Sequence, residues 1–123
     1  MLGIGTDLVD IDRFRTVLAR TPSIVDRVFR DSERVYAEQA VDPTARFAAR
    51  FAAKEATLKS LGLGLGSMNL ADIEVVKHED GRPELRLHDT AAAAAAAAGA
   101  GRFLLTISHT DTLAQATVVA LES

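Results

Sequence analysis

"FAAKEATLKS", residues 51–60, sets charges among small apolar residues at helical spacing. On a helix turning 100° per residue, Glu55 falls among Ala48, Phe51, Ala52 and Leu58, the stripe expected to be buried. Lys59 follows one turn later on nearly the same stripe. Burying an unpaired carboxylate costs on the order of several kcal/mol, so Glu55 needs a partner. It either pairs with Lys59 at i,i+4, which is worth about 0.3–0.5 kcal/mol, or meets a cation supplied from elsewhere.

Working outward, this helix starts about Thr44, after the Asp42-Pro43 boundary, and runs to "KSLG". "GLGLGS", residues 62–67, follows the helix, whereas phosphate-cradling glycine loops open one. A C-cap and a flexible connector is the better reading, with close backbone approach to a ligand still open. At the N-terminus, "LGIGTDLV" reads as a strand with Gly3, Gly5, Asp7 and Val9 on one face, its glycines leaving the backbone accessible. Asp10 or Asp12 caps a helix with the stripe Ile11, Phe14, Val17 and Leu18, ending near Thr21-Pro22. "SIVDRVFRDSERVYAEQA" reads as irregular or helical.

Further on, "DIEVVK" and "ELRLH" are strands joined by the turn "HEDGRP". Asp89-Thr90 is expected to cap an alanine helix closed by Gly99. "RFLLTIS" and "TLAQATVVALE" are strands joined by "HTD". The sum is an α+β fold: a single domain over 1–123, with one antiparallel sheet and helices on one side.

Composition bounds the function. Apolar residues make up 48 % and charged residues 25 %, a globular mixture, while aromatics are only 5 %, so the core must be assembled from small side chains. A chain of this size buries a limited share of its surface, and self-association is one route to stability. The absence of cysteine excludes disulfides, thiolate zinc sites and a cysteine nucleophile, and fits a cytoplasmic protein. "MLGIGTDLVD" has no basic flank and meets an acid at Asp7, so no signal peptide is expected. No apolar run approaches ~20 residues, so no membrane span is expected either. The net charge of −3 argues against nucleic acid as a partner. Locally, however, Arg13, Arg15, Arg20, Arg27, Arg30 and Arg34 face only Asp26, Asp31 and Glu33. That excess suits either a solvated helix face or a patch for an acidic partner.

Asp7, at a strand end on a glycine-lined face, offers Glu55 a companion. Two carboxylates completed by water and phosphate oxygens suit magnesium, which keeps waters and needs only one or two protein acids. Arg50, Lys54 and Lys59 add positive charge on and beside the same helix, as a phosphate ligand would require. "ISHTD" invites a Ser-His-Asp reading, yet Ser108 and His109 are adjacent on a strand and point to opposite faces. Their better role is hydrogen bonding to an anion. His78 and His88 flank turns and lack metal-ligand spacing.

"GIGTDLVDIDRF" and "RFAAKEATLKSLG" resemble the two signature motifs of the holo-[acyl-carrier-protein] synthase family, the small 4′-phosphopantetheinyl transferases. "DIEV…GRPEL" and "ISHTDTLAQATVV" resemble further family blocks, so the likeness spans nearly the whole chain in order. The resemblance implies the 4′-phosphopantetheinyl transferase fold and a homotrimer with sites between subunits. It also implies transfer of the phosphopantetheine arm of coenzyme A to a serine of apo acyl carrier protein, releasing adenosine 3′,5′-bisphosphate. It implies magnesium on Asp7 and Glu55, and a cofactor surrounded by Arg50, Lys54, Lys59, Gly62, Gly64, Ser108, His109 and Thr110. Gly81 and Pro83 would reach the adenine from a neighbouring subunit. Arg13, Arg20 and Arg27 would meet the carrier's acidic helix. Thr6 departs from the apolar residue usual before the metal aspartate, and the alanine helix and residues 35–45 diverge. Two other classes stay open: a subunit that binds coenzyme A or the carrier without turnover, and a magnesium-dependent nucleotide hydrolase.

Overall fold

Gly3 and Gly5 decide where the longest helix lies. In the computed structural model, which describes residues 1–122, β1 (Gly3–Asp10) runs directly over α4 (Thr44–Ser60). Ser123, the last residue of the expected domain, lies outside the described residues. A Cβ on Gly3 would stand 2.1 Å from the Ser60 carbonyl oxygen, and one on Gly5 2.1 Å from that of Ala56. The two backbones can meet only because these positions carry no side chain.

The strand belongs to an antiparallel three-stranded sheet ordered β1-β5-β4, with β4 at Arg102–His109 and β5 at Leu113–Leu121. Ala114, Ala116 and Val118 of the central strand are fully buried in the core with α4, and Ala120 is buried with Ala95 and Ala100. Small residues on strand and helix therefore substitute for the aromatics the chain lacks. The opposite face is open: Ile4 (58 % exposed), Leu8 (65 %) and Leu104 (53 %) point away from the core.

β2 (Ile73–Lys77) and β3 (Pro83–Leu87) form a separate two-stranded sheet, where one continuous sheet was expected. Pro83 brings no N–H to a wider ladder, and the Val75 N–H is taken by the Glu33 carboxylate at 3.0 Å. Gly81, at φ +92°, makes the hairpin turn.

Residues 11–40 form three helices: α1 (Ile11–Arg20), α2 (Ser23–Val28) and α3 (Asp31–Glu38). Asp10 caps α1, accepting from the Arg13 N–H at 2.9 Å. Phe29 is extended between α2 and α3, and its ring fills the core against Phe47, with centroids 4.7 Å apart. The alanine helix, α5 (Asp89–Ala97), is not capped by Asp89 or Thr90. His88 occupies the cap position, while the Thr90 hydroxyl donates to Asp72 at 2.6 Å. No helix among the described residues is long and apolar enough to cross a membrane.

Packed between the sheet on one side and α3 with the hairpin on the other, α4 is buried almost all round. Apart from Ala45 and Arg46 in its first turn, its open edge is the stripe Phe51, Glu55 and Lys59. Glu55 thus stands on the least buried face of the helix, and the periodicity had suggested the reverse. The fully buried charge is its neighbour, Lys54.

Candidate active site

Asp7 and Lys59 meet where β1 crosses the end of α4. The Lys59 Nζ donates to Asp7 Oδ1 at 3.1 Å and to the Thr6 carbonyl oxygen at 2.9 Å. Asp7 is therefore the ion-pair partner of Lys59, and the i,i+4 pair with Glu55 does not form. Burial first, then the nearby Asp7 carboxylate, pushes the Glu55 carboxyl above its ordinary value, with Lys59 opposing. Two carboxylates close enough to repel, one already destabilised as an anion, suit a shared divalent cation. Among the described residues no three His, Cys, Asp or Glu side chains converge. A cation here would have two protein carboxylates and would take its other ligands from phosphate and water, as magnesium tolerates. Asp7 and Glu55 line a cavity of about 540 Å³ with Phe14, Phe51, Leu65 and Arg13.

The remaining expected cofactor residues lie elsewhere on the chain. Arg50, Gly81, Pro83 and His109 line a second cavity of about 480 Å³ with Tyr36, Arg46 and Lys77. Arg50 is buried, its guanidinium carbon lies 4.2 Å from the Tyr36 ring centroid, and its Nε has no hydrogen-bond partner. Arg46 stacks on the same ring at 4.2 Å. An unpartnered donor in a cationic, aromatic cavity is suited to an anion carried by a flat ring. Tyr36 and Arg46 went unnoticed in the sequence. The signal available was Arg46 standing one turn before Arg50.

Lys54 does not belong to either cavity. It is fully buried, and its Nζ donates to Glu33 Oε1 at 2.8 Å, to the Leu70 carbonyl at 3.0 Å and to the Ile73 carbonyl. All three donors of the ammonium are used, which leaves none for a cofactor and corrects that expectation. Burial pushes its pKa down, and Glu33 opposes that shift.

Gly62 ends α4 in a left-handed conformation, φ +71°, with the Leu63 N–H returning to the Leu58 carbonyl at 2.9 Å, as a helix C-cap does. Gly64 lies in the exposed loop beyond it. Ser108 pairs in register with Gln115 on the open sheet face, while His109 pairs with Ala114 on the inner face. The two therefore diverge, which excludes a serine–histidine couple. The Thr110 hydroxyl accepts from the Leu113 N–H at 3.1 Å and holds the β4–β5 turn.

The arginine-rich stretch divides cleanly. Arg15 pairs with Asp12 and Asp42, Arg30 with Asp72, and Arg34 with Asp26 and Asp31. Arg13, Arg20 and Arg27 are exposed and, among the described residues, have no acid within 4.0 Å. These are the three expected to face an acidic partner.

Sheet, helix and paired carboxylates define a class. Residues 3–115 match the model of the 4′-phosphopantetheinyl transferase superfamily. A holo-[acyl-carrier-protein] synthase of Frankia casuarinae is 47 % identical over 120 residues, covering 98 % of this chain and 97 % of that one. The chain belongs to the holo-[acyl-carrier-protein] synthase family. Its fold superposes on the Neisseria meningitidis synthase with a TM-score of 0.90 at 29 % identity, over 99 % of both chains. The Helicobacter pylori synthase, solved in complex with coenzyme A, gives a TM-score of 0.84 at 28 % identity over 96 % of this chain and 99 % of that one.

Proposed function

We propose that this chain transfers the 4′-phosphopantetheine arm of coenzyme A to a serine of apo acyl carrier protein, releasing adenosine 3′,5′-bisphosphate. The convergence of Asp7, Glu55 and Lys59 where β1 crosses α4 carries the reading. Asp7 and Glu55 would hold magnesium, whose charge offsets that of the pyrophosphate and the leaving bisphosphate. Lys59 spends two donors on Asp7 and Thr6 and keeps a third for the transferred phosphate. The serine oxygen attacks the phosphorus in line, the bond to the bisphosphate breaks, and Glu55 accepts the hydroxyl proton.

Within one chain the Asp7–Glu55 cavity and the Arg50–Gly81–Pro83–His109 cavity have no lining residue in common. A homotrimer with sites between subunits would bring one of each together. The apolar outer sheet face, with Ile4, Leu8, Leu104 and Leu113, supports such self-association. On this reading Gly62, Gly64, Ser108 and Thr110 border the cofactor, Arg13, Arg20 and Arg27 receive the carrier's acidic helix, and the single domain works in the cytoplasm.

The test is to incubate the protein with coenzyme A, magnesium and an apo carrier, and then weigh the carrier. A gain of one phosphopantetheine is expected. Free bisphosphate with an unmodified carrier would mean hydrolysis, and coenzyme A bound without either product would mean a binding subunit.

A further inference from the structure

Lys54 and Glu33 form a polar joint that the chemistry above does not use. Both are buried, with Glu33 1 % exposed and Lys54 0 %. Glu33 Oε1 accepts from Lys54 Nζ at 2.8 Å and from the Arg30 N–H at 2.9 Å, while Oε2 accepts from the Val75 N–H at 3.0 Å. The ammonium's other two donors go to carbonyls at Leu70 and Ile73, where the chain enters β2. Every bond of the pair thus joins one of three elements: α3, α4 or the root of the β2–β3 hairpin. Arg30 adds a bond to the Ala71 carbonyl at 3.0 Å at the same root.

The hairpin also packs Ile73, Val75, Leu85 and Leu87 into the core and takes a further bond from α3, the Ser32 hydroxyl donating to Glu74 at 2.6 Å, but the buried pair holds the backbone at its base. The hairpin is a sheet of two strands separate from the main sheet, and its far end is the exposed Gly81 turn. A two-stranded sheet is marginal by itself, so its orientation depends on what anchors its base. That orientation matters, because Val75, Val76, Lys77, Gly81 and Pro83 of the hairpin form one wall of the cavity whose opposite wall is Arg50 on α4. Val75 is both bonded to Glu33 and part of that wall.

We infer that the Glu33–Lys54 pair positions the β2–β3 hairpin against α4 and so sets the width of the Arg50 cavity for the nucleotide end of coenzyme A. Neither residue touches the reacting atoms. The occupant of the cavity rests on the transfer reading above, whereas the mechanical role does not.

The variants Glu33→Gln and Glu33→Met/Lys54→Met separate positioning from simple support. The double variant replaces the buried pair by apolar chains of similar length, removing the bonds to Leu70, Ile73 and Val75 without leaving either charge buried alone. Amide exchange in both variants should rise across 73–87 and stay unchanged in β1 and α4. The KM for coenzyme A should rise about tenfold, with kcat changed less than about threefold. Adenosine 3′,5′-bisphosphate binding, followed by calorimetry without any carrier, should weaken by the same factor as KM. Exchange that rises uniformly over the chain would overturn the inference. So would a double variant that melts like wild type and recovers the wild-type KM. If the wild-type protein fails to load a carrier, the transfer reading falls, and the exchange pattern still decides the positioning role.

Discussion

Lys54 and Glu55 are consecutive residues on one helix, and they answer opposite demands. Lys54 is enclosed, paired with Glu33 and fully hydrogen-bonded. Glu55 stands on the open edge, half-buried and without an ion pair among the described residues, where burial first and then the neighbouring Asp7 carboxylate raise its pKa. The enclosed charge has every bond it can make, so it stabilises one arrangement of the chain and has nothing left to offer a ligand. The open pair keeps its repulsion, so it gains from a ligand that the folded chain does not itself provide. A one-residue step along a helix turns the side chain by about 100°, and here that turn separates structure from chemistry.

The sharpest way to break this contrast is to remove one charge from each side. Lys54→Met leaves Glu33 buried without its cation, and the variant should lose about 3–5 kcal/mol of unfolding free energy, measured by chemical denaturation. A loss below about 1 kcal/mol, within the range of an exposed pair, would mean that the joint is not enclosed in solution. Asp7→Asn should do the converse. Carrier loading should fall about 10²–10³-fold, in the range for removing one electrostatic contributor to phosphoryl transfer, while the denaturation midpoint stays near that of wild type. Lys59 loses an ion pair in that variant, but it is half exposed and such pairs contribute little to stability. An Asp7→Asn protein that unfolds early and keeps its turnover per folded molecule would place Asp7 with the structural charges.

Much of the arrangement was legible in the sequence because local rules were obeyed. Gly3 and Gly5 announced a close approach, and the helix backbone at Ala56 and Ser60 is what approaches. Gly62 announced the end of α4, and the alternation in "ISHTD" placed Ser108 and His109 on opposite faces. The helical period failed at Glu55 because α4 is surrounded on nearly all sides. A helix buried all round has no single apolar stripe, and alanines face outward packing partners as readily as inward ones. Lys54 was misjudged for a related reason: its partner, Glu33, lies 21 positions away on a segment whose sequence suits either a helix or an irregular stretch. Nothing in a charge pattern shows that α3 folds back so that one carboxylate serves a helix end, a lysine and a strand. The hairpin's independence from the main sheet was likewise invisible, since it depends on which N–H groups that carboxylate takes.

The smallest effect is the most discriminating. Glu55 holds its proton more tightly in the folded protein than in the unfolded chain, because burial and Asp7 both disfavour the anion. Its ionisation therefore works against folding: below the unfolded pKa the group is neutral in both states, and stability falls as pH rises through the folded pKa. Glu55→Gln removes that penalty, so without metal it should melt higher than wild type at neutral pH, by roughly 2 °C. The two should converge when both are measured under acid conditions where Glu55 is protonated. Magnesium should reverse the order by raising the wild-type midpoint and leaving that of Glu55→Gln nearly unmoved, because the variant lacks one of the two carboxylates. The same variant should load no measurable carrier. A Glu55→Gln protein that melts lower than wild type without metal would show that Glu55 supports the fold as Lys54 does, and the division along α4 would then be wrong at its most informative residue.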